Sequence, residues 1–245
     1  MSTISKMADL FSILGRGIPL RSFVAARPFS IASLRLHLQI RQICPNLKTI
    51  IDAGANVGQF ARAATLTFPA AKILSIEPLP AVAAKLRKNL ADCDRHVVYE
   101  ACVGERDGSV KFNENAYSQA SSILEICKNS GKGGESVTNR IEVTMVRLDT
   151  LLAAEKIERP CLLKLDLQGY ELSALKGAVG LLAHIDYLLV ETAFREMYSE
   201  EPIFRDIEGF LGGYGFKFLR PLAFLQLDSL EIIQMDALFL RGQAM

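Results

Sequence analysis

Four apolar runs in this chain each end on a carboxylate, and a turn and a helical pattern follow each of them. The runs are residues 49–52, 72–77, 161–166 and 187–191, closing on Asp52, Glu77, Asp166 and Glu191. Short strands without polar alternation are buried on both faces, and intervening helices require parallel pairing through right-handed crossovers. Residues 97–102 supply a further strand, and 216–219 and 237–240 read as the last two. The expectation is an α/β chain with a doubly wound sheet of seven strands, whose carboxyl edge gathers acids.

Composition narrows the partners. Of 245 residues, 28 are Lys or Arg and 27 are Asp or Glu, a net charge of +1, so no nucleic-acid partner is expected on a broadly basic face. The five cysteines include no C-x-x-C pair, which predicts neither a zinc cluster nor a disulfide framework and suits a reducing, cytoplasmic setting. Residues 1–48 carry a charge of +6 and leave −5 for the rest. This basic extension is expected to be helical, with Leu10, Phe11 and Leu14, then Ile31, Leu34, Leu38 and Ile40, near helical spacing. Charges interrupt any leader-like apolar core, and no 18-residue uncharged run could span a membrane. Three readings of the extension stay open: a cap packed on the domain, a peripheral contact with an anionic membrane surface or acidic partner, or a partly disordered start. Residues 49–245 are expected to form the main domain. Its rhythm breaks at 103–148, an insertion with a short strand at 110–112 and a half-exposed strand at 141–148, whose polar stretch 113–136, with Ser121, Ser122 and several glycines, reads as a substrate lid or as irregular chain.

The first strand-to-helix turn says most about chemistry. Residues 52–58 read D-x-G-x-N-x-G, not the G-x-G-x-x-G of a dinucleotide site. Gly54 and Gly58 let a ligand approach the backbone, while Asp52 would repel a pyrophosphate and attract an ammonium. That combination suits a zwitterionic amino-acid tail, as in S-adenosylmethionine. Glu77, 25 residues further on, ends the second strand where a carboxylate can accept both ribose hydroxyls.

The segments I-D-A-G-A-N-V-G-Q-F at 51–60, S-I-E-P at 75–78, L-D-T-L-L at 148–152 and L-K-L-D-L-Q-G-Y-E at 163–171 resemble the FkbM family of methyltransferases. The resemblance covers about residues 49–220. It implies a class I methyltransferase (Rossmann-like) fold: a mostly parallel seven-stranded sheet with its last strand antiparallel, helices on both faces, and the N-terminal helical extension outside it. It also implies S-adenosylmethionine as cofactor, with Asp52, Gly54, Asn56 and Gly58 around the methionine part and Glu77, followed by Pro78, at the ribose. The family generally has an acid where this chain has Gln168.

The acceptor is read by elimination and by that resemblance. The N/D-P-P-Y/F signature of amine methylation is absent, since D-L-Q-G stands in its place, and Pro160-Cys161 falls at the wrong end of its strand for cytosine chemistry. A hydroxyl on a sugar or secondary metabolite is therefore expected, that is, a small-molecule or glycan partner. Asp166 is the candidate catalytic residue, and Asp166 with Glu191 could hold Mg²⁺; both could instead cap helices. Lys164 is expected to pair with a carboxylate. No histidine falls where a base is needed, so the base is not identified, and the sequence sets no oligomeric state. Two rivals stay open: an S-adenosylmethionine-binding module without acceptor chemistry, which Gln168 favours, and a nucleic-acid methyltransferase served by the basic arm.

Overall fold

A computed structural model of the chain describes residues 30–115, 121–125, 127 and 137–242. Its centre is a seven-stranded sheet in the order β3-β2-β1-β7-β8-β10-β9. These strands are β1 (Thr49–Ala53), β2 (Lys72–Ile76), β3 (His96–Tyr99), β7 (Cys161–Leu165), β8 (Tyr187–Ala193), β9 (Phe216–Gln226) and β10 (Ile232–Arg241). The β2–β3, β1–β2, β1–β7 and β7–β8 pairs are parallel, whereas β10 runs antiparallel to both β8 and β9. This is the mostly parallel sheet with a reversed last strand expected above.

Alternation along the buried strands sends side chains to two cores. On one face Ile51, Leu163, Leu188, Val190 and Phe239 pack under α4 (Leu148–Leu151), α5 (Glu171–Lys176) and α6 (Phe204–Gly213). On the other, Ile50, Ile73, Leu162, Leu189 and Leu238 meet α1 (Ile31–Ile43), α2 (Gln59–Thr67) and α3 (Pro80–Asn89). Helix α1 begins at Ser30, whose Oγ accepts the Ser33 N–H at 3.1 Å. Its Leu34 and Leu38 bury against Ala63 of α2, and Gln39 Nε2 donates to the Leu222 carbonyl of β9 at 3.1 Å. The part of the N-terminal extension that is described thus packs on the domain. Leu34 is fully buried, so its truncation to Ala would cost about 2–5 kcal/mol. Residues 1–29, including Leu10, Phe11 and Leu14, lie outside the described residues.

Three expectations need correction. The strand read at 97–102 ends at Tyr99; β4 (Cys102–Val103) leaves the main sheet and pairs with β6 (Val137–Val146). The strands read at 110–112 and 141–148 in the insertion are present with wider bounds, and β5 (Gly108–Asn115) pairs antiparallel with β6 to complete a three-stranded sheet, β4-β6-β5. Residues 116–120, 126 and 128–136, with the glycines of the expected lid, lie outside the described residues. The final hairpin is also longer than read: Pro221 sits within β9, tolerated because β9 is the sheet edge and pairs with β10 across irregular register.

Candidate active site

The carboxyl edge of the sheet opens into a cavity of about 500 Å³, the size range of small-molecule sites. On the face covered by α1 and α2, apolar rows turn polar near this edge. Ile50 gives way to Asp52, Leu162 to Lys164 and Asp166, Leu189 to Glu191, and Leu238 to Asp236, one row from each of four neighbouring strands. Register sets Asp52 beside Lys164 and Glu191 beside Asp236.

The turn after β1 forms one side. Gly54 has φ 78°, and a Cβ there would collide with the Asp166 carbonyl, so the turn rests directly on the backbone following β7. Gly58 has φ 91° and packs against Leu86 and Leu90, so it supports the turn from behind. Glu77, only 5% exposed, ties this turn to the next: Oε2 accepts the Asn56 N–H at 2.9 Å and Oε1 the Leu79 N–H at 3.0 Å. Burial pushes its carboxyl up to about 7 against the pull of those two donors. Each oxygen still has a lone pair for a ligand. Gly54, Asn56, Glu77 and Pro78 line the cavity.

Asp52 is placed differently from the sequence reading. It lies inside β1, fully buried and absent from the cavity wall, and the ammonium it meets belongs to the protein: Lys164 Nζ at 3.0 Å. Complete burial raises its carboxyl above the usual range despite that cation. Lys164 also donates to the Gly54 carbonyl at 3.1 Å and contacts Asp166 at 3.3 Å. Burial alone would lower its pKa, but the charges of Asp166 and Asp52 outweigh burial and raise it. The pairing expected of Lys164 is what the structure contains.

The opposite side is built on Gln168. At φ 53° its side chain turns back, and Nε2 donates to Asp166 Oδ1 at 2.7 Å and to Glu191 Oε2 at 2.6 Å. Tyr198 Oη donates to Gln168 Oε1 at 2.6 Å, and Glu201 holds the Met197 and Tyr198 N–H groups at 2.6 and 3.0 Å. Glu171 accepts the Leu167 and Gly169 N–H groups at 2.6 and 3.3 Å, which fixes the loop that carries Gln168. Burial pushes Glu171 up to about 8. Asp166 keeps 37% of its side chain open on the cavity side. Burial opposes its ionisation, but Lys164, Gln168 and Glu191 together hold it below the usual carboxylate range. The expectation of Mg²⁺ between Asp166 and Glu191 is not supported. An amide donor sits between the two carboxylates, and among the described residues no three His, Cys, Asp or Glu side chains group as a metal site. Ser121 and Ser122, expected in a mobile cover, are buried; Ser122 Oγ donates to the Gln168 carbonyl at 2.8 Å.

Sequence reasoning missed Asp236, a cavity-lining carboxylate on β10, because the last strand was read as starting at Ala237. The alternation of buried Ile233, Met235, Ala237 and Phe239 was the signal that could have found it.

Comparison with known proteins adds a decisive observation: the Methyltransferase FkbM domain matches residues 52–218. The chain belongs to the FkbM methyltransferase family. Relatives include the 2-O-methyltransferase NoeI of Sinorhizobium fredii (strain NBRC 101917 / NGR234), 28% identical over 74% of this chain and 78% of its own length. The 31-O-demethyl-FK506 methyltransferase FkbM of Streptomyces tacrolimicus is 24% identical over 68% and 72%. Among solved structures, a candidate methyltransferase from Thermobifida fusca YX shares the fold with a TM-score of 0.52 at 13% identity, over 86% of this chain and 81% of that one. No helix among the described residues of this FkbM-family chain is long and apolar enough to cross a membrane.

Proposed function

We propose that this FkbM-family protein transfers a methyl group from S-adenosylmethionine to a hydroxyl of a small polyhydroxylated acceptor, a sugar or a secondary metabolite. The observation that carries the reading is Glu77. A nearly buried carboxylate faces the cavity beside a glycine turn, holds both turns by one hydrogen bond per oxygen, and keeps acceptor capacity for a vicinal diol. Gly54, Asn56 and Pro78 complete that wall, and Gly58 and Asp52 act behind it. Asp52 is neutralised by Lys164, which keeps an uncompensated charge out of the sheet.

The donor supplies an electrophilic methyl group; the chain's residues supply alignment. Asp166, held ionised and fixed by Gln168, accepts a hydrogen bond from a neighbouring hydroxyl of the polyhydroxylated acceptor and so orients the oxygen that is methylated. Hydroxyl chemistry is further supported by the two relatives, named as O-methyltransferases. The non-catalytic alternative rested on Gln168, and the integration of that amide between Asp166 and Glu191 weighs for a working acceptor side.

The test is label transfer from S-[methyl-³H]adenosylmethionine to a panel of methyl glycosides, oligosaccharides and polyketide alcohols. Alkali-stable label in at least one hydroxylated acceptor is expected. Tight S-adenosylhomocysteine binding with no label in any of them would favour the binding module, and label confined to nucleic acid would overturn the acceptor class.

A further inference from the structure

We propose that Asp236 is the proton acceptor of the reaction, the group to which the acceptor hydroxyl gives up its hydrogen as its oxygen is methylated. This rests on the methyl-transfer reading above and supplies the base that it leaves unassigned.

The geometry distinguishes three carboxylates on the same wall. Asp166 is engaged by the Lys164 ammonium at 3.3 Å and the Gln168 amide at 2.7 Å. Glu191 receives the other hydrogen of that amide at 2.6 Å. Asp236 lines the same cavity, stands opposite Glu191 in the β8–β10 register, and makes no hydrogen bond or ion pair among the described residues. A carboxylate already bonded to cations and amides has little affinity left for a proton; one without partners retains it.

The surroundings of Asp236 act in the same direction. From β7 it faces Asp166 and Lys164, from β8 Glu191, and from β9 its register partner Ala223. The cavity residues of α1 are Ala32, Ser33 and Leu36, none of them charged. Burial first, then the charge of Asp166, pushes Asp236 up to about 6, with Lys164 opposing. A general base works best when its pKa lies near the working pH, and Asp236 meets that condition better than Asp166, which is held low.

The step balances without a further reagent. The acceptor oxygen forms a bond to the methyl carbon, the carbon–sulfur bond breaks with its electron pair left on sulfur, and the hydroxyl proton passes to an Asp236 carboxylate oxygen. The products are the methyl ether, the neutral thioether and a protonated Asp236, which returns its proton to solvent. Leu36 and Ser33 roof the cavity and limit competition from water.

Asp236→Asn preserves shape and removes no partner, so its melting temperature and its affinity for S-adenosylhomocysteine by calorimetry should stay at the parent values, the latter within about twofold. Turnover of the best panel acceptor should fall by roughly 100-fold, with the loss in kcat and little change in KM. In the parent, kcat should rise through about pH 6, and this limb should vanish in the variant. Independently, ¹³C carboxyl titration of the protein loaded with S-adenosylhomocysteine should place Asp236 near 6, and Asp166→Asn should lower that value. The proposal is overturned if Asp236→Asn keeps turnover within about threefold of the parent, or if Asp236 titrates in the ordinary carboxylate range near 4. If no panel member accepts label, the titration decides. Loss of S-adenosylhomocysteine binding by the parent would instead sink the methyl-transfer reading itself.

Discussion

The two sides of the cavity are built on opposite principles. On the side of β1 and β2, the parts are backbone: a turn with two positive-φ glycines, amide hydrogens pointing at Glu77, and one carboxylate whose position depends on its own strand end. On the side of β7, β8 and β10, the parts are side chains from three strands, joined by the Gln168 amide and steadied by Tyr198 and Glu201. A side made of backbone tolerates little change and can serve one ligand in many proteins. A side made of side chains can be re-cut for a new ligand one residue at a time.

Gly54 is where the two sides touch, and it should give the largest effect. A methyl group there meets the Asp166 carbonyl in a conformation that L-residues rarely adopt. Gly54→Ala should destabilise the protein by roughly 3 kcal/mol or more in urea unfolding, and damage both sides together. A cost under about 1 kcal/mol would mean that the sides are not in mechanical contact.

Glu77→Ala should separate them. Removing the acceptor for two hydroxyls and two backbone donors should weaken S-adenosylhomocysteine binding by roughly 1.5–3 kcal/mol, while ¹³C titration of Asp236 stays where it was. Unchanged affinity in calorimetry would remove Glu77 from the donor site.

The pH dependence refines this. Glu77 is raised from its ordinary value to about 7, so its protonated form favours the fold. Its contribution to the stability of the ligand-free protein is therefore full below about 4.5 and is lost as pH rises through 7. Ligand binding uses the ionised form and runs the other way: affinity for S-adenosylhomocysteine should drop about tenfold between pH 8 and pH 6. A flat profile, or one that persists in Glu77→Gln, would assign the proton elsewhere.

Gln168→Ala should give the smallest effect and confine it to the acceptor side. Turnover should fall several-fold to about tenfold as Asp166 and Glu191 lose their shared donor, with affinity for S-adenosylhomocysteine unchanged within about twofold. Equal losses in both measurements would mean that the two sides do not act separately.

Legibility in the sequence follows the same division. The turn could be read because its signature is local: glycines and Asn56 at fixed offsets, then an acid at the end of the next strand. The parallel, doubly wound sheet followed from helices alternating with apolar runs, and the reversed last strand was implied by the family resemblance alone. Asp52 was misplaced because its environment depends on register, a non-local property; only the β1–β7 pairing shows that Lys164 lies beside it. Asp236 was missed because Gln234 and Asp236 interrupt the apolar signal of β10, although their neighbours alternate correctly. The strands at 110–112 and 141–148 were legible from local pattern, but their pairing with each other and with β4 was not, because pairing is non-local. Polar strand residues that face a ligand and those that face water look alike until the partner strand is known.

Helix α1 and Asp236 share one further property: both lie outside residues 52–218, the span that matches the FkbM domain. Residues of the cavity roof and one wall carboxylate are thus supplied by flanking segments, while the matched span contributes the glycine turn and the Gln168 cluster. Divergence in what is methylated can then proceed at the periphery, by exchange of a leading helix or a closing hairpin, without disturbing the turn proposed to hold the methyl donor. Two members of such a family could share every recognisable motif and still serve unrelated acceptors, and the flanks are where their difference would be written.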